Sequence, residues 1–281
     1  MGEYVSQKRH KKELKRRKKK IRQTEKRDTP RYYHFTRNEF SFPELTHVDA
    51  KISQPGCYAA ILGDCEGGIS REHYISESIL NQFEGGIPSG GIPWIKGTER
   101  NLQPSNLTVK CLCRRHNSAL SGLDSFAGEL FSSITKFHLR KRDRLLIEGN
   151  LLELWMLKAL FGALSTGRFS HGSRVVSVAD ISPEFIKLLF SGGSFESDLG
   201  LYVRYKVNDA VHFGKKLTMA PVFLDGRPAG ATITFGGISF LLSLLPKNQN
   251  FNMSHPDAKW LMRHPNALNH GDAPGGLEFI W

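Results

Sequence analysis

The longest apolar stretch of the chain lies at residues 150–165. Leu151, Leu152, Leu154, Trp155, Leu157, Leu160, Phe161 and Leu164 there cover more than one face of a helix. A helix apolar on several faces has no side to give to water, so the pattern predicts a buried helix forming the floor of the core. Upstream, residues 118–141 place Leu120, Leu123, Phe126, Ala127, Leu130, Phe131, Ile134 and Phe137 at three- and four-residue steps. That spacing predicts a second helix packing its apolar face on the first. Beyond Gly172 the period changes, and extended runs are expected at 174–178, 200–207, 217–224 and 231–245, with Gly226-Arg227-Pro228 as a turn signal. A helix at 183–190, opened by Ser182 as N-cap and a proline in its first turn, interrupts them. No internal repeat points to a solenoid. The chain is read as α+β, with a mixed strand/helix C-terminal region at 142–281.

Two segments lack such periodicity. Residues 29–55 carry Tyr32, Tyr33, Phe35, Phe40 and Phe42 without a clear period and read as a connector, while the Gly/Pro-rich stretch 84–93 reads as a loop too flexible for regular structure. His255, His264 and His270 fall in a Pro/Asn/Gly-rich tail and read as surface histidines.

Charge adds a further division. Of 281 residues with a net charge of +12, the first 28 hold thirteen Lys/Arg against four acids. The block Lys15-Arg16-Arg17-Lys18-Lys19-Lys20 repels itself in water and is expected to stay disordered or loosely helical until a polyanion neutralises it. Phosphate is the obvious polyanion, and such an arm supplies affinity without sequence choice. A plain solubilising tail is the bland reading of the same residues. No run approaches the roughly 18 apolar residues of a membrane span, and the N-terminus has no apolar signal region. The expected location is the cytoplasm, with no membrane partner.

The four cysteines, at 57, 65, 111 and 113, all fall in one fifth of the chain. Clustered cysteines in a reducing compartment point to metal ligands rather than disulfides. Cys113 and His116 have the Cys-x-x-His spacing that lets a thiolate and an imidazole at a strand-to-helix turn reach one zinc. Cys57 and Cys65 can supply the other two ligands. Seven residues separate them rather than two to four, so this half of the site is looser than the common knuckle, and Cys111 stands as reserve ligand. Glu72-His73 lies in a short extended segment that leads to a helix expected at 76–83.

Ser70-Arg71-Glu72-His73-Tyr74-Ile75-Ser76, then Asn106-Leu107, then Cys113-Arg114-Arg115-His116-Asn117, resembles the core of the HNH endonuclease family across about a quarter of the chain. The resemblance implies a zinc-stabilised ββα-metal nuclease unit, at 56–141, packed on helices. In that family the first histidine is the general base that activates water, which falls on His73. The acid before it ligates the catalytic divalent metal, which falls on Glu72. The middle asparagine, which steadies the loop positioning the base, falls on Asn106. The last position, normally a metal-ligating histidine, falls on Asn117, so the motif here is His-Asn-Asn. An amide oxygen suits Mg²⁺ or Mn²⁺ better than a softer ion. A register shifted by one would instead make His116 the catalytic ligand and pair Cys111 with Cys113. On the preferred register zinc is structural, and Arg71, Arg114 and Arg115 are candidates for phosphate contact. The implied activity is hydrolysis of phosphodiester bonds, in DNA before RNA. The competing expectation is a zinc-stabilised binding module that has lost cleavage.

Overall fold

The computed structural model describes residues 32–35, 53–83, 87–88, 101–137, 144–196, 198–204, 217–235, 237–246, 261–269 and 276–281. The basic arm, with Lys15 to Lys20, lies outside the described residues, as do His255 and His270.

Along the chain, β1 (Tyr32–Phe35) is followed by β2 (Ile69–His73), the one-turn helix α1 (Glu77–Leu80), and the short strands β3 (Ile87–Pro88) and β4 (Asn101–Leu102). Then come β5 (Thr108–Cys113), α2 (Arg114–Ala119), α3 (Ser121–Phe137), β6 (Arg144–Glu148) and α4 (Gly149–Leu164). A small hairpin, β7 (Ser170–His171) and β8 (Arg174–Val175), leads to α5 (Pro183–Ser191). The remainder is β9 (Gly200–Arg204), β10 (Leu217–Leu224), β11 (Arg227–Phe235), β12 (Ile238–Ser243), β13 (Leu261–Arg263), β14 (Ala267–Asn269) and β15 (Gly276–Ile280). The architecture is mixed α+β.

Three sheets organise it. β2 pairs antiparallel with β5; β10-β11-β12-β9-β13 form a five-stranded antiparallel sheet; and β1-β6-β15-β14 form a four-stranded sheet in which β1 and β15 both run parallel to β6. The hairpin between β10 and β11 turns on Asp225 and Gly226, with φ of 48° and 75°. Positive φ at both central residues is the geometry that an Asp-Gly pair favours. The expected strand at 231–245 is divided into β11 and β12 at a turn through Gly237 (φ 89°).

α4 is the axle of the molecule. Every residue of it except Asn150 is buried, and it packs against α3 and α5 on one side and strands β9 to β12 on the other. Among the described residues no helix is long and apolar enough to cross a membrane. Two charges interrupt its apolar surface, Glu153 and Lys158, and both are buried. Glu153 accepts from Leu201 N at 2.6 Å and meets His264 Nε2 at 2.8 Å, which ties α4 to the C-terminal sheets.

Several expectations are corrected. The helix foreseen over 118–141 is divided into α2 and α3, because Leu120 closes the first helix and α3 restarts at Ser121. Residues 174–178 form only the two-residue strand β8 before a 3₁₀ turn at Val178–Asp180, whose end is held by Ser177 and Asp180. Tyr32–Phe35, inside the expected connector, form a strand of the four-stranded sheet. Ile87–Pro88, inside the expected irregular loop, pair with Asn101–Leu102. His264 is not a free surface residue: it stacks on Trp281 with ring centroids 3.9 Å apart and holds Glu153.

Gly162 is where α4 meets the end of β2 most closely. A Cβ there would lie 2.5 Å from Tyr74 Cβ and 3.0 Å from Tyr74 Cα. Glycine to alanine at an open helical site stabilises by about 1 kcal/mol. Gly162→Ala should instead destabilise by about 1–3 kcal/mol through overpacking. Urea unfolding reads the sign, and a stabilised variant would show that the two elements are not in contact.

Candidate metal centre and the strand end beside it

The path from Cys57 to Cys65 explains how a seven-residue spacer brings both to one point. Cys57 N donates to Gln54 O at 3.1 Å, a 3₁₀ turn follows at Ala60–Leu62, and Gly63 (φ 79°) reverses the chain. Only a residue at ease with positive φ stops that turn cheaply. The loop is then stitched to the β5–α2 corner by Tyr58 N to Cys111 O at 2.9 Å, Arg114 N to Gly68 O at 3.1 Å and Arg115 N to Glu66 O at 3.2 Å.

At that corner Cys57, Cys65, Cys113 and His116 are all buried, and their donor atoms lie within 4.8 Å of one another. His116 Nδ1 is 3.4 Å from Cys57 Sγ, 3.8 Å from Cys65 Sγ and 3.1 Å from Cys113 Sγ. Ligands of a tetrahedral zinc, with bonds of about 2.3 Å to sulfur and 2.0 Å to nitrogen, stand roughly 3.5–3.8 Å apart. The cluster is compatible with zinc in donor type, number and spacing.

The partner of the imidazole's other nitrogen supports this. His116 Nε2 is 2.7 Å from Asp64 Oδ1, which leaves Nδ1 free of its proton and facing the sulfurs. A carboxylate behind a ligating histidine is the usual means of fixing tautomer and ring orientation. Burial pushes the His116 pKa down despite Asp64, which favours the neutral form that a ligand needs. Burial alone would raise the Asp64 carboxyl, but hydrogen bonds from Arg115 and His116 outweigh it and hold it below the usual carboxylate range. Arg115 Nε donates to Asp64 Oδ2 at 3.0 Å. Its guanidinium is thus committed to the back of the centre, whereas Arg71 and Arg114 are exposed. Without a cation, burial lifts the Cys57 thiol to about 12 and raises that of Cys65.

The reserve ligand does not join them. A β-bulge between Ser70 and Arg71 leaves Cys111 without an opposite number on β2 and breaks the alternation of side chains. Cys111, Leu112 and Cys113 are consequently all buried in sequence. Cys111 lies by Glu72 and Ser165 instead, its thiol pushed up to about 12 by burial.

β2 ends at Glu72 and His73, opposite Val109 and Thr108 at the far end of the pair from Cys113. Glu72 is buried, bonds the Asn117 side chain and ion-pairs with Lys158. Burial raises its pKa despite Lys158. Burial likewise works against the Lys158 ammonium, but Asp124 and Glu72 outweigh it and hold its pKa above the usual lysine value. The His73 ring is partly exposed, with Nδ1 4.0 Å from Glu77 Oε2. Asn117 Nδ2 also donates weakly to Arg71 O at 3.4 Å. Asn106 stands apart from these side chains: its Oδ1 accepts from Gln103 N at 3.0 Å, capping the 3₁₀ turn that enters β5 two residues before Thr108, the strand partner of His73.

Asp64, Glu77 and Lys158 were not singled out as site residues by their spacing. Asp124, one to two helical turns after Asn117, accepts from Ser76 Oγ at 2.5 Å and Lys158 Nζ at 2.7 Å. A lysine inside a helix apolar on several faces was the available signal, since a buried ammonium requires acidic partners.

Comparison with family models, with curated proteins and with solved structures found no match. The site is therefore read from its own chemistry.

One zinc per chain should co-purify, and its affinity should fall with falling pH as protons compete for the thiolates. Cys113→Ser should abolish stoichiometric zinc and loosen the corner. Asp64→Ala should retain the ligands but weaken zinc about 10- to 100-fold. Elemental analysis and chelator competition measure both, and a zinc-free native protein would exclude the site.

Proposed function

We propose that the protein is a metal-dependent nuclease, hydrolysing phosphodiester bonds at the end of the β2–β5 pair, with DNA as the first substrate class. The reading rests on one observation: Asn117 of α2, one residue after the ligand candidate His116, bonds Glu72, the residue before His73 at the end of β2. The order strand, strand, helix along the chain supports a ββα-metal reading.

His73 is the base. Its Nδ1 lies 4.0 Å from Glu77 Oε2, and Nε2 is the proton acceptor in this reading. A water gives its proton to Nε2, its oxygen attacks phosphorus, and the ester P–O bond breaks with the electron pair leaving on oxygen. Glu72 and Asn117 are hard oxygen donors that would hold Mg²⁺ or Mn²⁺, which supplies polarisation of the phosphate and neutralises the leaving oxygen. Arg71, exposed one residue before Glu72, and Arg114, exposed at the start of α2, are the candidates for phosphate contact; Arg115 is withdrawn from that role by Asp64. Asn106 steadies the turn opposite His73 and touches no reacting atom. Zinc at Cys57, Cys65, Cys113 and His116 is structural.

One observation favours the second reading, a zinc-stabilised nucleic-acid-binding module without cleavage: Glu72 already has an ammonium partner.

His73→Ala separates the two. It should lower cleavage about 10²- to 10⁴-fold while zinc content and binding stay near native. Equal cleavage by variant and native protein, with contaminating nuclease excluded, overturns the enzyme reading. Deleting residues 1–28 should weaken binding and flatten its dependence on salt, with single-turnover cleavage at saturating protein little changed. An unchanged salt slope removes the arm from the account.

A further inference from the structure

Lys158 is the one cation on the buried surface of α4, and its surroundings are specific. Its Nζ reaches three oxygens: the Glu72 carboxylate, Asp124 Oδ1 at 2.7 Å and His73 O at 3.4 Å. An ammonium has three N–H donors, so the group is fully used. The network closes on the same helix, because Trp155 Nε1 donates to Ser76 Oγ at 2.8 Å and Ser76 Oγ donates to Asp124 at 2.5 Å. Buried ion pairs are a poor route to stability, since an apolar residue of similar volume avoids the desolvation cost. What this one does accomplish is geometric.

We infer that Lys158 is a positioning residue, tying the Glu72 carboxylate and the His73 backbone to the axle helix so that the metal ligand and the base keep a fixed separation. This rests on the roles proposed for Glu72 and His73. Asp124 completes the device: two carboxylates against one ammonium leave one net negative charge beside Asn117, so Glu72 keeps its attraction for a divalent cation although its carboxylate is already held by an ammonium. A network of this kind specifies geometry because a member that turns leaves its partner unpaired.

The test uses zinc-loaded full-length protein and Mn²⁺ alone, with affinity read by electron paramagnetic resonance. Lys158→Met/Asp124→Asn removes the tether and leaves the cluster's net charge unchanged. It should retain zinc yet bind Mn²⁺ at least tenfold more weakly. Affinity within twofold of native would overturn the inference and reduce Lys158 to a space-filling residue. Glu72→Gln is the control for the underlying reading: native protein that binds no Mn²⁺ sensitive to this change overturns the nuclease site, and the inference with it. Should the double variant not fold, the native protein answers alone through the ¹⁵N-labelled ammonium resonance of Lys158. On adding Mg²⁺ that signal should shift and persist, because the tether is kept when the cation binds. Its loss to solvent exchange would mean that the cation displaces Lys158, and its invariance that Lys158 is unconnected to the site; either result overturns the inference.

Discussion

Four buried donors converge where the loop from Cys57 to Cys65 meets the β5–α2 corner, and the geometry of the β2 strand end follows from their meeting. In the absence of a cation they offer little to one another: burial raises the thiols of Cys57 and Cys65, and a thiol is a weak hydrogen-bonding partner. A zinc ion would convert the same contacts into four coordinate bonds and join segments 48 and more residues apart along the chain. β2 follows directly on this loop and α2 carries one of the ligands, so Glu72 on the strand and Asn117 on the helix take their separation from the closure. Asp64 extends the constraint outward by locking the His116 ring and holding Arg115.

The second constraint comes from α4. Its two buried charges point to different parts of the molecule, Glu153 to the C-terminal sheets and Lys158 to β2 and α3. An otherwise apolar helix tolerates such groups only with partners in place, so each charge selects one way of seating the helix. The strand end is thus held from two sides, by the four-donor corner and by Lys158. A general base and a metal ligand need this kind of support, because small misplacements of reacting groups are expensive in rate.

Much of the fold was legible where one periodicity dominated. The apolar run that became α4 and the capping signals of α5, with Ser182 accepting from Glu184 N, matched their elements closely, as did Leu217–Leu224 for β10. The four-donor set was also legible, because Cys-x-x-His at a strand-to-helix turn is a strong local rule and left only the first two cysteines to find. What escaped was non-local. The bulge that turns Cys111 away from Cys113 depends on β2 being one residue shorter across the pair. The parallel pairing of Tyr32–Phe35 with Arg144–Ile147 spans more than a hundred residues and leaves no periodic trace in an aromatic-rich segment. Asp124 and Lys158 belong to one network only because α3 and α4 pack together, and His264 reads as a tail residue until Trp281 returns beside it.

The central claim is hydrolysis of a phosphodiester at His73 with a divalent cation on Glu72 and Asn117. The most direct measurement incubates zinc-loaded protein with supercoiled plasmid, single-stranded DNA and RNA, each with Mg²⁺, with Mn²⁺, or with neither. The account predicts cleavage of DNA in at least one of the two metals and none in their absence. Intact substrates of all three kinds in both metals, with the protein folded, zinc-loaded and bound to them, would contradict it and leave a binding module.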